Sequence, residues 1–334
     1  MRPVYPKMFD LISVGDARID NSVHLPKAHI SCTINKERCE ICLAYGGKIP
    51  IDSVKVQPAG NSNNNAVAAA KLGLKTALYA NIGEDANGKM ILDHLKAAGV
   101  DTRYMVVNKG IPTEQSIVIN YNGERTILVY HHPWDYTLPD LDKTKWVYYS
   151  SVSFSFPKTS LVPQLENYIE RIGGSLMYSP GTHQLKFGVK KHPRLLSLTR
   201  VLIVNYEEAK KILEIDGGRK IDIKKLLSSL ADLGPKNVVI TDGKEGSYGF
   251  DGSSFFKIGL FPAELKEATG AGDAYATGFL AALFYGKDFS EAMRWGAANS
   301  AAVVEQCGPQ EGLLSYNQMQ EKLNKNSGIK AGEI

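Results

Sequence analysis

The chain has 334 residues, 43% of them hydrophobic and 22% charged, so it is long and apolar enough to bury one large α/β core or two smaller ones. Its formal net charge of +4 is mild and its basic residues are scattered, which argues against nucleic-acid binding. No apolar run approaches the ~18 residues that span a bilayer, and the first residues lack the apolar core of a signal peptide, so we expect a cytoplasmic protein with no membrane partner.

Six short apolar runs alternate with helical patterns, and each run predicts a buried strand. The runs cover residues 10–14, 76–80, 146–150, 175–178, 201–204 and 237–241. Helices are predicted over residues 64–72, 88–98, 161–171, 207–213, 223–233, 274–285 and 290–305. Strands that are apolar on both faces need cover on both, so the pattern predicts an α/β fold with a mainly parallel sheet between helical layers. Ligands are then expected at the carboxyl ends of the strands.

Two segments interrupt this alternation. Residues 18–56 carry a turn-rich pattern without a helix, and residues 115–120 and 125–130 predict a hairpin around Asn122-Gly123. Together they predict a small β lid, inserted at about 17–57 and 112–132 into a single domain over residues 1–334. A lid above the strand ends would exclude water from a reaction there. The polar tail, residues 322–334, is expected to be frayed.

The four cysteines leave several interpretations open. Cys39-x-x-Cys42, close to Cys32, would bind zinc if a fourth ligand came from elsewhere, or would form a redox pair. Cys307 stands alone. Reduced intracellular cysteines often serve only as small hydrophobic residues, and that is the interpretation we favour.

The most informative motif is Gly270-Ala271-Gly272-Asp273, which leads directly into an apolar helical stretch. Two glycines allow successive N–H groups to point at one spot, and the helix adds the positive end of its dipole, so the motif predicts an anion cradle. A carboxylate beside such a cradle can deprotonate a hydroxyl that attacks a phosphoryl group, which makes Asp273 a candidate base. The alternative is an ordinary helix start, with Thr269 as the cap and Asp273 in the first turn.

Two common nucleotide-binding motifs do not fit. A dinucleotide-binding fingerprint needs a third glycine where Tyr275 stands, and no acidic ribose ligand follows at about 20 residues. A Walker A motif, Gly-x-x-x-x-Gly-Lys-Ser/Thr, does not occur anywhere in the sequence.

Five further motifs occur around this one in a characteristic order. They are Gly15 with Asp20, Ala59-Gly60-x-x-x-Asn64-x-Ala66, Asn205-x-x-Glu208, Thr241-x-Gly243-x-x-Gly246 and the segment from Gly308 to Gly312. With the Gly270–Asp273 motif they resemble the ribokinase (PfkB) family of sugar and nucleoside kinases over most of the chain. The resemblance implies a ribokinase-like three-layer α/β/α sandwich with a small inserted β lid. It also implies an ATP-dependent carbohydrate kinase.

The resemblance gives the candidate residues their roles. Asp273 would be the base, with the amides of Gly270, Ala271 and Gly272 holding the developing charge. Asp20 and Asn64, with Gly60, would bind acceptor hydroxyls through a carboxylate and an amide. A polar helix cap is the alternative for Asn64.

The donor nucleotide is assigned to a second group of residues. Thr241, Gly243, Gly246 and Asn299 would line the nucleotide site. Asn205 and Glu208 would hold Mg²⁺ through water, as that ion prefers. The alternative for this last pair is a helix capping box.

Three departures from the family pattern bear on specificity. Ala59 replaces the first glycine of the usual pair, and Glu267 stands where many members have an aspartate that resembles a monovalent-cation ligand. Arg18 occupies a position that carries asparagine in ribokinases, which disfavours free ribose as the acceptor. Arg18, Lys48 and Arg125 either bind an anionic group of the substrate or are solvated lid charges, and the second interpretation is the one we favour.

The sequence therefore predicts an ATP-dependent kinase that phosphorylates a hydroxyl of a sugar or sugar derivative, with Mg²⁺ as a cofactor and K⁺ as a candidate second one. A nucleoside or phosphosugar kinase is the alternative within the family, and a non-catalytic sugar-binding regulator is the alternative from another class. The hairpin predicts an apolar lid face made of Ile117, Ile119, Ile127 and Val129. Because such a thin sheet cannot cover itself, we expect a homodimer joined through the lids.

Overall fold

A computed structural model describes residues 8–32, 39–122, 124–215 and 221–334. The strands of these ranges are β1 (Phe9–Gly15), β2 (Arg18–His24), β3 (His29–Cys32), β4 (Cys39–Cys42), β5 (Ser53–Ala59), β6 (Thr76–Gly83), β7 (Val106–Asn108), β8 (Gln115–Tyr121), β9 (Glu124–Tyr130), β10 (Thr144–Tyr149), β11 (Ser175–Tyr178), β12 (Thr199–Asn205), β13 (Asn237–Thr241), β14 (Ser247–Phe250), β15 (Phe255–Ile258) and β16 (Gly332–Glu333). The α-helices are α1 (Asn61–Lys71), α2 (Ala86–Ala97), α3 (Leu161–Ile172), α4 (Thr182–Phe187), α5 (Pro193–Leu198), α6 (Tyr206–Ile212), α7 (Ile223–Ala231), α8 (Ala271–Phe284), α9 (Phe289–Val304) and α10 (Tyr316–Lys325).

The main sheet contains all six strands predicted from the apolar runs. Its order is β16-β15-β14-β13-β12-β11-β10-β1-β6-β7. The pairs from β13 to β7 are parallel, and the three pairs from β13 to β16 are antiparallel. Parallel strands need crossover helices, and the helices between these strands supply them. The predicted α/β fold with a mainly parallel sheet is confirmed.

Helices cover both faces of this sheet. Along β1, Ile12 and Val14 pack into a buried cluster that also holds residues of α3, α5, α6 and α7, whereas Leu11 packs into the cluster formed with α8 and α9. Alternate side chains of a strand point to opposite faces, so each strand contributes to both clusters. The result is the predicted three-layer sandwich. None of the helices within the described ranges is both long and apolar enough to cross a membrane.

A separate four-stranded sheet, in the order β5-β2-β8-β9, corresponds to the two segments that interrupt the helix–strand alternation. Its inter-strand register corrects the predicted apolar face. Ile117 lies opposite Leu128, and Val118 lies opposite Ile127. Since opposed residues share a face, Ile117 and Ile119 lie on one face while Ile127 and Val129 lie on the other. The turn residue Gly123 lies outside the described residues.

The C-terminal tail is not frayed, contrary to expectation. Its strand β16 pairs with β15, and α10 packs beside α9 through Met319 and Leu323, which are buried. Arg294 of α9 donates hydrogen bonds to the carbonyl oxygens of Leu323 (2.6 Å), Asn326 (3.2 Å) and Ile329 (2.7 Å). A mostly polar tail is therefore held by one guanidinium, a contact that composition does not reveal.

The cysteines also differ from expectation. Cys32 and Cys39 lie opposite each other in the β3–β4 hairpin and form a disulfide, while Cys42 and Cys307 are exposed. The expected reduced state and the Cys39/Cys42 redox pair are thus both wrong, because the hairpin register brings Cys32 to Cys39. Among the residues that the structure describes, no three metal-binding side chains form a group that would hold a metal ion, so zinc binding is unsupported.

Arg294 gives a test of the tail's anchoring. Arg294→Met keeps an apolar stem but removes the three hydrogen bonds to carbonyl groups, so we expect the free energy of unfolding to fall by about 2–4 kcal/mol, because hydrogen bonds from charged donors contribute about 1.5–3 kcal/mol each and are not additive. Urea denaturation measures this change, and amide exchange should become faster across α10 and β16. Lys287→Met, at an exposed position before α9, is the matched control. Equal stability of the two variants would contradict the anchoring.

Candidate active site

Asp273 lies in the first turn of α8, where the helix begins at the carboxyl end of the parallel sheet. Gly270 precedes this helix with a left-handed φ of 80°, and a Cβ atom there would lie 2.6 Å from the Cα of Pro309. Only glycine suits this position on both counts. The N–H of Ala271 turns back toward the carbonyl of Ala268 (3.3 Å). The next first-turn amides, of Gly272 and Asp273, have no carbonyl partner within the helix and remain to receive an anion.

The carboxylate of Asp273 is joined to α1. The amide nitrogen of Asn64 donates a hydrogen bond of 2.8 Å to Asp273 Oδ2. Burial and, to a smaller extent, the nearby charge of Asp16 raise the pKa of Asp273 to about 7, although the hydrogen bond from Asn64 and the charge of Arg18 act to lower it. A carboxylate with such a pKa gives up and takes protons near neutral pH, as a general base must.

Helix α1 brings its asparagines to this point because of how it begins. Gly60 is its N-cap, with φ 109°, and a Cβ atom there would meet the Asp16 carbonyl oxygen at 2.9 Å. The helix begins at Asn61, three residues earlier than predicted, so Asn64 is an inward-facing residue of the first turns and not a cap. The N-cap of α8 is likewise Gly270, and not Thr269 as the alternative interpretation of the motif would have it. The glycines thus set the entry of both helices.

A second polar contact locks α1 to α8. Asn65 donates to the hydroxyl of Thr277 (2.8 Å), which in turn donates to the carbonyl of Asp273 (2.7 Å). Ser13 of β1 donates to the Asn65 amide oxygen. The backbone that carries Asp273 is therefore fixed by β1 and α1 together.

The small sheet contributes a charged cluster. Arg18 donates to Asp16 Oδ2 (3.0 Å), and its Nε lies 3.4 Å from Asp20 Oδ1. Burial raises the pKa of Asp16, while the Arg18 guanidinium and the backbone N–H of Ser62 act in the opposite direction. Asp16 was missed in the sequence, although a carboxylate directly after a buried strand is a detectable signal.

These groups surround a cavity of about 470 Å³. Its wall includes Asp16, Arg18, Asn61, Asn205, Glu208, Thr241, Gly272 and Asp273, together with Ile127, Val129, His131 and His183. Three predicted acceptor-binding residues lie next to this wall. Asn64 is hydrogen-bonded to Asp273, and Gly60 packs on Asp16. Asp20 lies beside Arg18, on the same face of the four-stranded sheet as Val129. The structure therefore brings Asp273, Gly272 of the predicted cradle and Arg18 to the wall of one cavity.

Two histidines on the wall were not predicted. His131 Nδ1 lies 3.2 Å from a carboxylate oxygen of the buried Glu114, which also accepts from the backbone N–H of His132 (3.0 Å). The rings of His131 and His183 meet edge to face, with their centroids 4.7 Å apart. His183 lies in α4, a helix too short to show a hydrophobic periodicity in the sequence, so no pattern indicated this residue.

Asn205 and Glu208 form the capping box that was the alternative interpretation. The amide oxygen of Asn205 accepts from the N–H of Glu208, and Glu208 Oε2 accepts from the N–H of Asn205, both at 2.9 Å. Burial raises the pKa of Glu208. Both side chains nevertheless line the cavity beside Asp273. A carboxylate and an amide at the cavity wall fit a hard cation that keeps most of its water ligands, as Mg²⁺ does.

The predicted nucleotide loop is only partly at the cavity. Thr241 lines it, while Gly243 and Gly246 shape the adjoining turn, in which the N–H of Asp242 donates to the Gly246 carbonyl (2.8 Å). Asn299 is fully buried in α9, donates to the Ala274 carbonyl (2.8 Å) and accepts from the N–H of Leu314 (3.2 Å). Its amide is thus committed to holding α8 and the C-terminal segment.

The remaining predicted residues lie outside the cavity wall. Lys48 and Arg125 are exposed, so of the three basic candidates only Arg18 lines the site. Glu267 accepts a hydrogen bond of 3.0 Å from the N–H of Gly308. It connects the segment before the cradle to the one that ends near Gly312.

Known proteins are similar to this chain in sequence. The family model described as pfkB family carbohydrate kinase matches residues 27–315. A 5-dehydro-2-deoxygluconokinase of Bacillus subtilis (strain 168) is 24% identical over 96% of this chain and 98% of its own length. A ribokinase of the same strain is 29% identical over 81% of this chain and 89% of its own.

A solved structure has the same fold. Arabidopsis thaliana ribokinase complexed with ribose and ATP superposes with a TM-score of 0.78 at 21% identity, covering 95% of this chain and 99% of the other. The family match extends over most of the chain, from β3 to β15, and includes the Gly270–Asp273 motif. The chain therefore belongs to the pfkB family of carbohydrate kinases.

Proposed function

We propose that the protein transfers the γ-phosphoryl group of ATP to a hydroxyl of a sugar or sugar derivative, with Asp273 as the general base. The observation that carries the proposal is the position of Asp273, beside the first-turn amides of α8 and on the wall of a cavity large enough for a small acceptor. The similarity to a ribokinase solved with ribose and ATP supports the choice of donor and acceptor class.

In this mechanism, groups of the protein itself transfer the proton and stabilise the charge of the phosphoryl group. Asp273 takes the proton of the attacking hydroxyl, and the backbone N–H groups of Gly272 and Asp273 stabilise the negative charge of the phosphoryl group. The predicted Ala271 amide donates to the Ala268 carbonyl and is not available for this role. Asn205 and Glu208 would hold Mg²⁺ through water, which when bound neutralises the charge of the phosphates. Thr241 with the Gly243–Gly246 turn would contact the nucleotide, and Asn299 would keep that side of the site in place.

We infer that the favoured acceptor is an uncharged polyhydroxy compound. Arg18 donates a hydrogen bond to Asp16, its Nε lies 3.4 Å from Asp20, and the charge of Glu114 also acts on the guanidinium. One guanidinium that is surrounded by three carboxyl groups neutralises their charge, and it is poorly placed to bind an anionic group of the substrate as well. Asp20, Asn64 and Gly60 would then hold the acceptor hydroxyls, directly or through their neighbours.

The relatives supply the contrasting candidate. One of them is named for 5-dehydro-2-deoxygluconate, a sugar acid, and Arg18 on the cavity wall is a group that would favour its carboxylate. A nucleoside or a phosphosugar is a further candidate acceptor. A chain that bound a sugar without turning it over would instead be a regulator.

We also propose that the four-stranded sheet is the lid, inserted at about 17–57 and 112–132 into one kinase domain. Its inner face supplies Ile127 and Val129 to the cavity. Its outer face carries the exposed apolar side chains of Val54, Val56, Ile117, Leu128 and Tyr130. Such a surface favours pairing with a second copy, and a cytoplasmic homodimer joined through the lids is the arrangement we propose.

Glu267 is proposed to support a monovalent cation beside the cradle. Its carboxylate already binds the Gly308 N–H, and an unneutralised charge there would repel the phosphates.

Activity should accordingly be higher in potassium than in sodium or tetramethylammonium salts of equal ionic strength. Equal rates in all three would contradict this role.

The base is tested by Asp273→Asn. We expect kcat to fall at least ~10²-fold, the scale of general-base catalysis, while ATP binding persists. In the wild type, kcat/KM should rise with pH and level off above about 7, because Asp273 must be charged to accept a proton and its pKa is raised to about 7. Asp93→Asn, on the exposed side of α2, is the control. Near-normal turnover of Asp273→Asn would contradict the assignment.

The acceptor class is tested by ATP consumption across neutral sugars, sugar acids, sugar phosphates and nucleosides. Neutral sugars should be preferred at least tenfold in kcat/KM, since one hydrogen-bonded group in a built site discriminates by ~1–3 kcal/mol. Asp20→Ala and Asn64→Ala should each weaken acceptor binding by the same ~1–3 kcal/mol. A preference for 5-dehydro-2-deoxygluconate would instead make Arg18 a carboxylate ligand, and binding without ATP consumption would indicate a regulator.

The lid contact is tested by Leu128→Glu. The wild type should give twice the 36.6 kDa chain mass in light scattering at micromolar concentration, and the variant should give the single-chain mass, because a charge is placed in the joined surface. Met90→Glu changes an exposed apolar residue of α2 and is the matched control. A single-chain mass for the wild type would refute the dimer.

A further inference from the structure

A chain of side-chain hydrogen bonds runs from the surface of α2 to Asp273. His94 Nε2 lies 2.6 Å from Gln310 Oε1, and Gln310 Nε2 donates to Asn64 Oδ1 at 2.8 Å. Asn64 Nδ2 then donates to Asp273 Oδ2, also at 2.8 Å. His94 is half-buried, whereas Asn64 and Gln310 are 5% and 9% exposed, so water has little access to the two central members.

A backbone carbonyl, which only accepts hydrogen bonds, fixes the orientation of the Gln310 amide, and Gln310 in turn fixes that of the Asn64 amide. Gln310 Nε2 also faces the backbone carbonyl of Pro58 at 3.4 Å, which places the amide nitrogen on that side and Oε1 toward His94. That oxygen needs a donor, so His94 presents Nε2–H. At the other end, Asn64 Oδ1 receives the Gln310 hydrogen, and its NH₂ group must therefore face Asp273.

This orientation matters because an amide turned by half a rotation presents an oxygen. Asn64 in that rotamer would place its Oδ1 against the Asp273 carboxylate, two acceptors in contact without a hydrogen. In the observed orientation its N–H stabilises the charged form of the base. A fixed donor keeps one carboxylate oxygen occupied and leaves the other to face the acceptor.

The segment that carries Gln310 is itself held in place. Lys55 of β5 donates to the Cys307 carbonyl and to Glu311, both at 2.8 Å, and Lys71 of α1 lies 3.4 Å from the Gln310 carbonyl. The packing of Gly270 on Pro309 adds a contact next to the cradle. Gln310 thus has a rigid backbone from which to direct the Asn64 amide.

We propose that Gln310, and His94 through it, are positioning residues that orient the Asn64 amide and so set the proton affinity and the direction of Asp273. This positioning role rests on the proposed function, because it assumes that Asp273 is the general base. Neither residue is on the wall of the cavity that holds Asp273, so their effect passes through Asn64.

The first experiment uses the unliganded protein. Carboxyl-carbon NMR titration of Asp273 should show its midpoint about one pH unit higher in Gln310→Met than in the wild type, because losing a fixed donor to a charged oxygen costs about that much. Asp16, Arg18 and Glu208 also face this carboxylate, and they are unchanged in the variant. Thermal melting checks that the variant is folded.

The second experiment measures turnover. Gln310→Met should lower kcat roughly tenfold, the scale of a misdirected catalytic group, and should move the acid limb of the kcat profile to higher pH while the KM for ATP stays constant. His94→Leu should have a smaller effect in the same direction, and His94→Gln, which restores an N–H donor, should recover it. Lys96→Leu on the same turn of α2 is the control.

The outcomes separate the proposals. If Gln310→Met and His94→Leu are folded and leave the Asp273 midpoint and the acid limb unchanged, the positioning role is wrong. A fall in kcat without a change in the midpoint would also overturn it, since that is what loosened packing alone would produce. If the wild type transfers no phosphoryl group to any acceptor, the proposed function fails, yet the titration still decides whether Gln310 acts on Asp273. If Gln310→Met does not fold, the His94 pair gives the same comparison.

Discussion

The hydrogen bond between Asn64 and Asp273 is the interaction around which the site is arranged. It joins two helices from opposite parts of the chain, and each begins at a glycine in a conformation that other residues rarely adopt. Without Gly60, α1 could not start against the Asp16 carbonyl, and without Gly270, α8 could not start against Pro309. The geometry around Asp273 is thus decided at the two helix starts, and the main sheet brings those starts together.

The electrostatics of the site follow from the close approach of several carboxyl groups. Asp16, Asp20, Glu114 and Asp273 lie around one guanidinium, and burial disfavours the charged forms of Asp16 and Asp273. A site that repels additional negative charge is hard to reconcile with an incoming nucleotide unless cations enter with it. The proposed dependence on metal ions therefore has its origin in the protein's own carboxylates as well as in the phosphates.

Local sequence patterns were sufficient for the six predicted strands of the main sheet, because each strand depends on residues that are neighbours in the chain. The contact of Gln310 with Asn64 was not predictable, since it joins residues 246 positions apart. The hairpin shows an intermediate case. Alternation within β8 and within β9 was read correctly, but the register between the strands pairs an odd-numbered residue with an even-numbered one, and that register depends on the turn at Asn122. The disulfide and the anchored tail depended in the same way on contacts between segments.

The distance in sequence between Asn64 and Asp273 also has a consequence for the synthesis and folding of the enzyme. The two residues are 209 positions apart, and Gln310 lies later still. Closing so long a loop has a large entropic cost that only the completed sheet and its helices offset. A nascent or truncated chain that ends before α8 would possess the four-stranded sheet and much of the cavity wall, yet neither the proposed base nor the proposed anion cradle. Such a fragment would at most hold a sugar, so phosphoryl transfer becomes possible only after nearly the whole polypeptide has been synthesised and folded.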